Sequence, residues 1–344
     1  MANYDQFAAA VKELSGGKNV VLLDDLGLPS IYVPINKLKN SELIKDGSEN
    51  IHPAFSVDSV EKSRFLYSKY QNVVINGRAY SLAHRDPGAS ITFDNARKAC
   101  EAKGDGHHLA TFAEWAAIAL LTRKMSTMPH GNNDDGADED YPYEKGELSE
   151  TGRATLTGSG PATWGHDHTK FGIQDLNGNV HEWLAGMRLK DGEIQIIPNN
   201  DAALASCDVS ATSALWKAML TDGSLAEPGT ADTLKYNYVS PGEMQLSTVS
   251  DTTVSYYSRS YTRMTLADGV TAPEIIKALT LYPDEPGSDY GGDDHDVAFK
   301  GERMPYAGGD YHGGSYTGVF SVSLYNSRSF ADSYIGFRSA FFEP

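Results

Sequence analysis

Glycine and proline interrupt this chain so often that no long regular element has room to form. Thirty-three glycines and 15 prolines are spread over 344 residues, and the apolar patterns between them are short. Glycine eases left-handed turns and proline removes a backbone donor, so such a chain folds as short strands and helices joined by long loops. The expected class is α+β and loop-rich, with 40% apolar residues available for a core.

Phe7, Val11 and Leu14 recur at helical spacing and stop at Gly16-Gly17, which predicts a short helix over residues 5–14. "NVVLLDD" and "SIYVPI" read as strands. Polar residues 37–52 have no period and read as a joint between an N-terminal segment, 1–50, and the remainder, 51–344. Asn76-Gly77, between two β-rich runs, signals a hairpin turn. Phe93, Ala96, Ala99 and Cys100 share one helical face, which makes Cys100 a core thiol. Thr111-x-x-Glu114 is a capping box, in which each side chain satisfies a free backbone N–H, ahead of a helix with Trp115, Ile118 and Ala119 as its buried stripe. Residues 125–170 read as a long surface excursion. Two more helices are expected, at 213–220 and behind a second capping pattern, Thr271-x-x-Glu274.

A net charge of −17 would repel a phosphate backbone, so no nucleic-acid partner is expected. The acids gather in loops at 132–147 and 284–296, where they solvate the surface; a structural calcium is the one ion such loops suggest, and no other cofactor is expected. No run approaches 18 apolar residues and the start lacks a basic, apolar leader, so membrane insertion is not expected, and the chain is read as made in the cytoplasm. Cys100 and Cys207 have neither disulfide-framework nor metal-ligand spacing. His166 and His168 would share a strand face but lack a third ligand, and His107-His108 would point to opposite faces. Asp293, Asp294, His295 and Asp296 read as an acidic loop without EF-hand spacing. With no nucleophile elbow, phosphate loop or dinucleotide fingerprint, the chain is not read as an enzyme.

Four stretches rise above this background: "LATFAEW", "FGIQDLNGNVHEW", "GERMPYAGGDY" and "IGFRSAF", in that order. Together they resemble the formylglycine-generating-enzyme-like branch of the C-type lectin fold over about residues 51–344. Asp175, Gly178, Asn179, Val180, Glu182 and Trp183 stand where that family has its DxxGNVxEW element. Gly308-Gly309 matches its glycine pair, and Gly336-Phe337-Arg338 its closing strand. The enzymatic members hold copper with two cysteines near the C-terminal end, whereas residues 208–344 here contain none. A metal-dependent oxidase of that kind is the alternative reading, and it lacks its soft ligands. The calcium motifs of sugar-binding lectins are missing too.

In the C-terminal stretch Phe320, Val322 and Leu324 alternate with Ser321, Ser323 and Tyr325, so one strand face is expected inside and the other outside. The frame "GGxxxxGxxxGVFxxxLxxxRSxxxxxIGFRSA" resembles the variable region, about 306–342, of proteins diversified by retroelements, a family that includes phage tail receptor-binding proteins. There an error-prone reverse transcriptase alters template adenines, so variable positions take NNC codons, a set that excludes Lys, Glu, Gln, Met and Trp. Residues 305–342 contain none of these five. The expected ligand-binding residues are Asp310, Tyr311, His312, Tyr316, Ser321, Ser323, Tyr325, Phe330, Asp332, Ser333 and Tyr334, with tyrosines as stiff anchors and short polar residues around them. The resemblance further implies a host cell-surface protein or glycan as ligand, attachment to other tail or particle proteins through residues 1–50, a place in the virion, with the bacterial cytoplasm or cell surface as the alternative, and a possible homotrimer.

Overall fold

The computed structural model describes residues 4–150 and 152–343. Its architecture is mixed α+β, rich in both sheet and loop. Two sheets position the C-terminal region. Their strands, in chain order, are β1 (Val20–Leu23), β2 (Pro29–Asn36), β3 (Arg64–Ser68), β4 (His107–Leu109), β5 (His181–Trp183), β6 (Tyr257–Ser260), β7 (Asp294–Val297), β8 (Tyr306–Ala307), β9 (Val322–Leu324), β10 (Ile335–Phe337) and β11 (Ser339–Phe341). One sheet has the order β1-β2-β3-β11-β4 and the other β6-β7-β9-β8-β5-β10. A further sheet is built largely from residues between 187 and 266.

The N-terminal hairpin is tied to the rest by main-chain bonds, since β2 runs antiparallel to β3 from Tyr32 opposite Ser68 to Asn36 opposite Arg64. The expected joint at 37–52 is also structured. It holds a one-turn helix, Asn40–Leu43, with Leu43 and Ile44 buried. Glu274 anchors this turn by accepting from the Ser48 N–H and hydroxyl, both at 2.7 Å.

That use of Glu274 corrects the second capping pattern. The helix Glu274–Ala278 forms without a side-chain cap behind Pro273, while the Thr271 hydroxyl donates to the Thr221 carbonyl at 3.0 Å. The expected helix at 213–220 is absent: turns lead into a strand, Lys217–Met219, that pairs with Gln195 and Ile196. Cross-strand pairing outweighs the helical spacing there. Residues 125–170 are a surface excursion only in part: 139–150 are largely exposed, but Asn132, Thr155 and Thr157 are fully buried.

Two helices form where the capping and periodicity signals placed them. Helix α1 (Phe93–Glu101) is capped by Thr92, whose hydroxyl accepts from Asn95 N–H, and buries Cys100. Helix α2 (Phe112–Met125) opens with the Thr111–Glu114 capping box, intact in both directions at 3.1 and 2.9 Å. From its buried stripe the Trp115 indole N–H reaches the Val319 carbonyl at 2.8 Å, which fixes the start of β9.

The DxxGNVxEW element and the closing Arg338 form one polar knot inside the molecule. Asp175, Gly178 and Asn179 have positive φ, and a Cβ on Gly178 would collide with the Asn132 carbonyl. The Asn179 amide accepts from Thr155 N–H at 2.7 Å and donates to Gln71 at 2.8 Å, holding residues 132–155 against the core. Glu182 receives the Arg338 Nε at 2.9 and 2.8 Å, and the other two guanidinium nitrogens donate to the carbonyls of Ser68, Lys69, Gln174 and Asp175. Arg338 is fully buried, so each of its donors depends on these partners.

A second buried carboxyl lies under β9. Asp293 accepts from the Phe320 N–H at 2.7 Å, and burial pushes its pKa up to about 8. Nearby His295 is pushed down to about 3 by burial, so it is neutral in the folded chain.

Two expectations follow from these buried groups. Arg338→Met leaves the Glu182 carboxylate uncompensated, and equilibrium urea unfolding should show a loss of about 3–5 kcal/mol, the usual cost of removing one partner of a buried pair. For Asp293, the native carboxyl keeps its proton up to about pH 8 whereas the unfolded one ionises near its model value of 3.8. The native state therefore binds more protons across that window, and stability falls as pH rises through it. His295 works in the opposite direction, removing stability as pH drops below 6.5. Asp293→Asn keeps an acceptor for Phe320 but cannot ionise, so the difference between wild-type and variant unfolding curves should shift in the variant's favour between pH 4 and 8. A pH-independent difference would contradict this assignment.

Candidate ligand-binding face

The six-stranded sheet sorts its side chains by register. Tyr306 of β8 lies opposite both Ser323 of β9 and Trp183 of β5, and Asp296 of β7 pairs with Ser323. Residues paired across strands share a face and their neighbours along the strand take the other. His295, Val297, Val322, Leu324 and Ala307 therefore point into the core, where all are buried. The opposite face carries His181, Asp294, Asp296, Tyr306 and Ser323, with Ser321 and Tyr325 continuing it at the ends of β9 and Tyr256 and Ser258 beside them on and before β6.

Over β6, β7 and β9 this face presents aromatic rings and carboxylates, whereas Trp183, Tyr306, Ile335 and Phe337, on the same side across β5, β8 and β10, are buried. The Tyr325 and Tyr256 rings meet edge to face at 5.0 Å, and the Tyr256 hydroxyl donates to Asp296 Oδ1 at 2.8 Å. Ser258 donates to Asp294 Oδ2 at 3.1 Å. The His181 ring packs edge-on against Tyr306 at 4.8 Å and lies 6.2 Å from Tyr334, with its Nε2 3.6 Å from Asp310 Oδ2. Burial lowers the pKa of His181, against the pull of Asp310 and Asp296. Burial and the Asp296 carboxylate raise the Tyr256 hydroxyl well beyond an ordinary phenol, so it remains a donor at neutral pH.

The predicted set divides on this geometry. Tyr316 and Tyr325 are 63% and 47% exposed, the most open of its aromatic residues, and His312 and Ser333 are exposed as well. Asp310 receives the His312 N–H at 3.0 Å, and Asp332 receives the Ser333 N–H at 2.6 Å, so both carboxylates shape their own loops. Three residues correct the simple inside–outside alternation. Ser321 and Ser323 lie on the outward side yet are buried, because β7 and β8 flank β9 and the surrounding rings rise above the short side chains. Tyr311 is buried too, under the Arg153 guanidinium at 5.0 Å from its ring. Phe330 is partly buried and packs with Tyr334 against the core. Among the described residues no ring contact links Tyr316 to the others; it stands on the turn Gly314–Tyr316, whose Ser315 lines a polar cavity of about 420 Å³ with Asp138, Asp289 and Asp293.

The frame around these positions is locked by partners outside it. Arg328 clamps Asp94 with two bonds, at 3.0 and 2.7 Å. A Cβ on Gly308 would come 2.9 Å from the Leu176 carbonyl, and one on Gly309 would collide with Thr317. Gly336 leaves space for Val180, 2.9 Å from where its Cβ would be, and Phe337 is fully buried.

Sequence reasoning missed His181, Tyr256, Ser258, Asp294, Asp296 and Tyr306. The acidic loop expected at 293–296 is instead strand β7, and its signal was present: in "DHDV" two aspartates alternate with His295 and Val297. The strands β6 and β7 extend the sheet of this face sideways. His166 and His168 do not share a strand. His166 accepts from Ile173 N–H at 2.8 Å and His168 contacts the Met128 carbonyl at 3.1 Å. Among the described residues no group of three or more His, Cys, Asp or Glu is placed to hold a metal ion. Burial raises both thiols, Cys207 up to about 11, so neither presents a thiolate at neutral pH. Among the described residues no helix is long and apolar enough to cross a membrane.

No family model matches the sequence, and no curated protein matches it. Solved structures do. The chain is similar to the Major Tropism Determinant P3c variant, with 10% identity and a TM-score of 0.33 over 94% of this chain and 71% of that one. The Major Tropism Determinant I1 variant gives 11% identity and a TM-score of 0.33 over 91% of this chain, which spans 62% of that protein's length. Treponema denticola variable protein 1 gives 12% identity and a TM-score of 0.31, covering 94% of this chain and 98% of that one.

Proposed function

We propose that this chain is a ligand-binding variable protein: a C-type lectin fold of the formylglycine-generating-enzyme-like branch whose C-terminal face is diversified by a retroelement. On this reading it sits at the tip of a phage or prophage tail and binds a protein or glycan on the host surface. The observation that carries the reading is the separation of roles within residues 306–342. Side chains that enter the interior, Phe320, Val322, Leu324, Phe337 and Arg338, hold the fold, while Tyr316, Tyr325, His312 and Ser333 are exposed and anchor nothing inside. A surface of this kind tolerates substitution, because solvent-facing changes usually move stability by about 0.5 kcal/mol or less. Tyrosines ringed by Ser, Gly and Asp give wide, stiff contact area with adaptable hydrogen bonds.

The N-terminal segment supports the attachment part of the proposal. The helix Tyr4–Leu14 has no buried residue and exposes Phe7 and Leu14, and Leu23 and Leu26 of the following hairpin are exposed too. Apolar side chains gathered at one end of a chain favour contact with another protein.

Tyr316→Ala and Tyr325→Ala should each leave the melting temperature unchanged, whereas Phe320→Ala should cost about 3–5 kcal/mol as a core truncation. Unfolding of either tyrosine variant would place those rings in the structural frame and defeat the reading. Sequencing the 3′ end of the gene across a population of its source should find substitutions confined to the codons for 310, 312, 316, 321, 323, 325, 330 and 332–334, with a near-copy of the region nearby. A uniform sequence without such a copy removes the diversification.

A further inference from the structure

Resting on the reading of this face as a ligand surface, we propose that its present side chains select a cationic group: the ammonium or guanidinium of a lysine or arginine presented by a protein partner. Three independent features of the face lead there.

The first is unbalanced charge. Asp294, Asp296 and Asp310 lie on the face and Asp332 on the loop beside it. Among the described residues no lysine or arginine nitrogen comes within 4.0 Å of any of the four. Asp310 has the imidazoles of His181 and His312 at 3.6 and 3.4 Å and feels Arg153 from farther away, a guanidinium already paired with Asp135 at 2.8 Å. Arg259 and Arg263 act on Asp294 from farther away, and Arg259 is paired with Glu243 at 3.6 Å. A folded surface that leaves neighbouring carboxylates facing each other stores repulsion that an incoming cation relieves.

The second is aromatic. Tyr256 and Tyr325 meet edge to face at 75°, so one ring turns its π-face away from the other, and both are exposed. The face of a tyrosine ring attracts a cation most strongly when carboxylates share the site and water is partly displaced. Asp296, whose Oδ1 is held by Tyr256, stands beside this pair, and its Oδ2 has no hydrogen-bond partner among the described residues.

The third is a hydroxyl with no protein partner. Ser321 is 7% exposed and lies on the outward side of β9, yet its hydroxyl makes no hydrogen bond among the described residues. With Asp294 and Asp296 it gives the face several acceptors close together. Ammonium and guanidinium groups are all donor and no acceptor, so they match such a set, whereas a neutral sugar offers hydroxyls that need donors as well. A carboxylated glycan would be repelled, and the chain's net charge of −17 extends the preference to long range.

The test is a random-peptide selection on the immobilised full chain, followed by affinity measurements on the recovered peptides. They should be enriched in Lys and Arg, bind Asp296→Asn or Asp294→Asn about tenfold more weakly, as a lost close charge pair requires, and weaken with added salt. Asp222→Asn, an exposed carboxylate elsewhere, should leave binding unchanged. Thermal melts of the variants keep folding separate from recognition, and the two aspartates provide independent substitutions should one fail to fold. Peptides that lack basic residues but still lose binding with Tyr325→Ala would overturn the cation preference and leave the ligand face standing. Recovered peptides of which none responds to Tyr325→Ala would overturn both.

Discussion

The fold depends on how Arg338 is satisfied. A guanidinium with no access to water needs a partner for each donor, and it finds a carboxylate in Glu182 and carbonyls in Ser68, Lys69, Gln174 and Asp175. These partners come from β3, from the turn before β5 and from β5 itself, while Arg338 lies between β10 and β11. One side chain thereby ties both sheets to the loop that carries Asn179. A lysine could not reproduce this, since a single ammonium lacks the planar fork that reaches five acceptor groups at once. The knot also explains the tightness of the surrounding backbone: Gly178 and Gly336 sit where a Cβ would strike the chain that the knot draws in.

Much of this was legible from residues that act locally. A capping box needs only four residues to be recognised, and Thr111–Glu114 forms as the spacing required. Asn76-Gly77 makes its hairpin, with both residues at positive φ. Cys100 is buried on the helical face its neighbours implied. The elements that could not be read are those decided by a partner distant in sequence. Thr271-x-x-Glu274 has the form of a capping box, but Glu274 turns to Ser48, more than two hundred residues away. At 213–220 the pairing with residues 195 and 196 overrides the local period. Nothing near those positions carries that information.

The face shows the same division. Tyr325 and Tyr316 were legible as exposed because strand alternation and loop composition are local signals. That Ser321 and Ser323 lie sunken depends on β7 docking alongside β9, and β7 was hidden within a run of acids that composition alone assigns to a loop. A strand with two aspartates on one side and His295 and Val297 on the other is a two-faced element. Alternation was a better guide there than charge density.

The parallel seam between β7 and β9 has one more consequence. It places Asp294 and Asp296 alongside Ser321 and Ser323, and Tyr256 against Tyr325, although all three are encoded upstream of the C-terminal stretch. If only that stretch is rewritten between generations, the acidic wall is inherited intact. Every new arrangement is then tried against the same neighbour, so the repertoire would be one of variations on a constant half-site, biased before selection begins toward whatever that wall already favours.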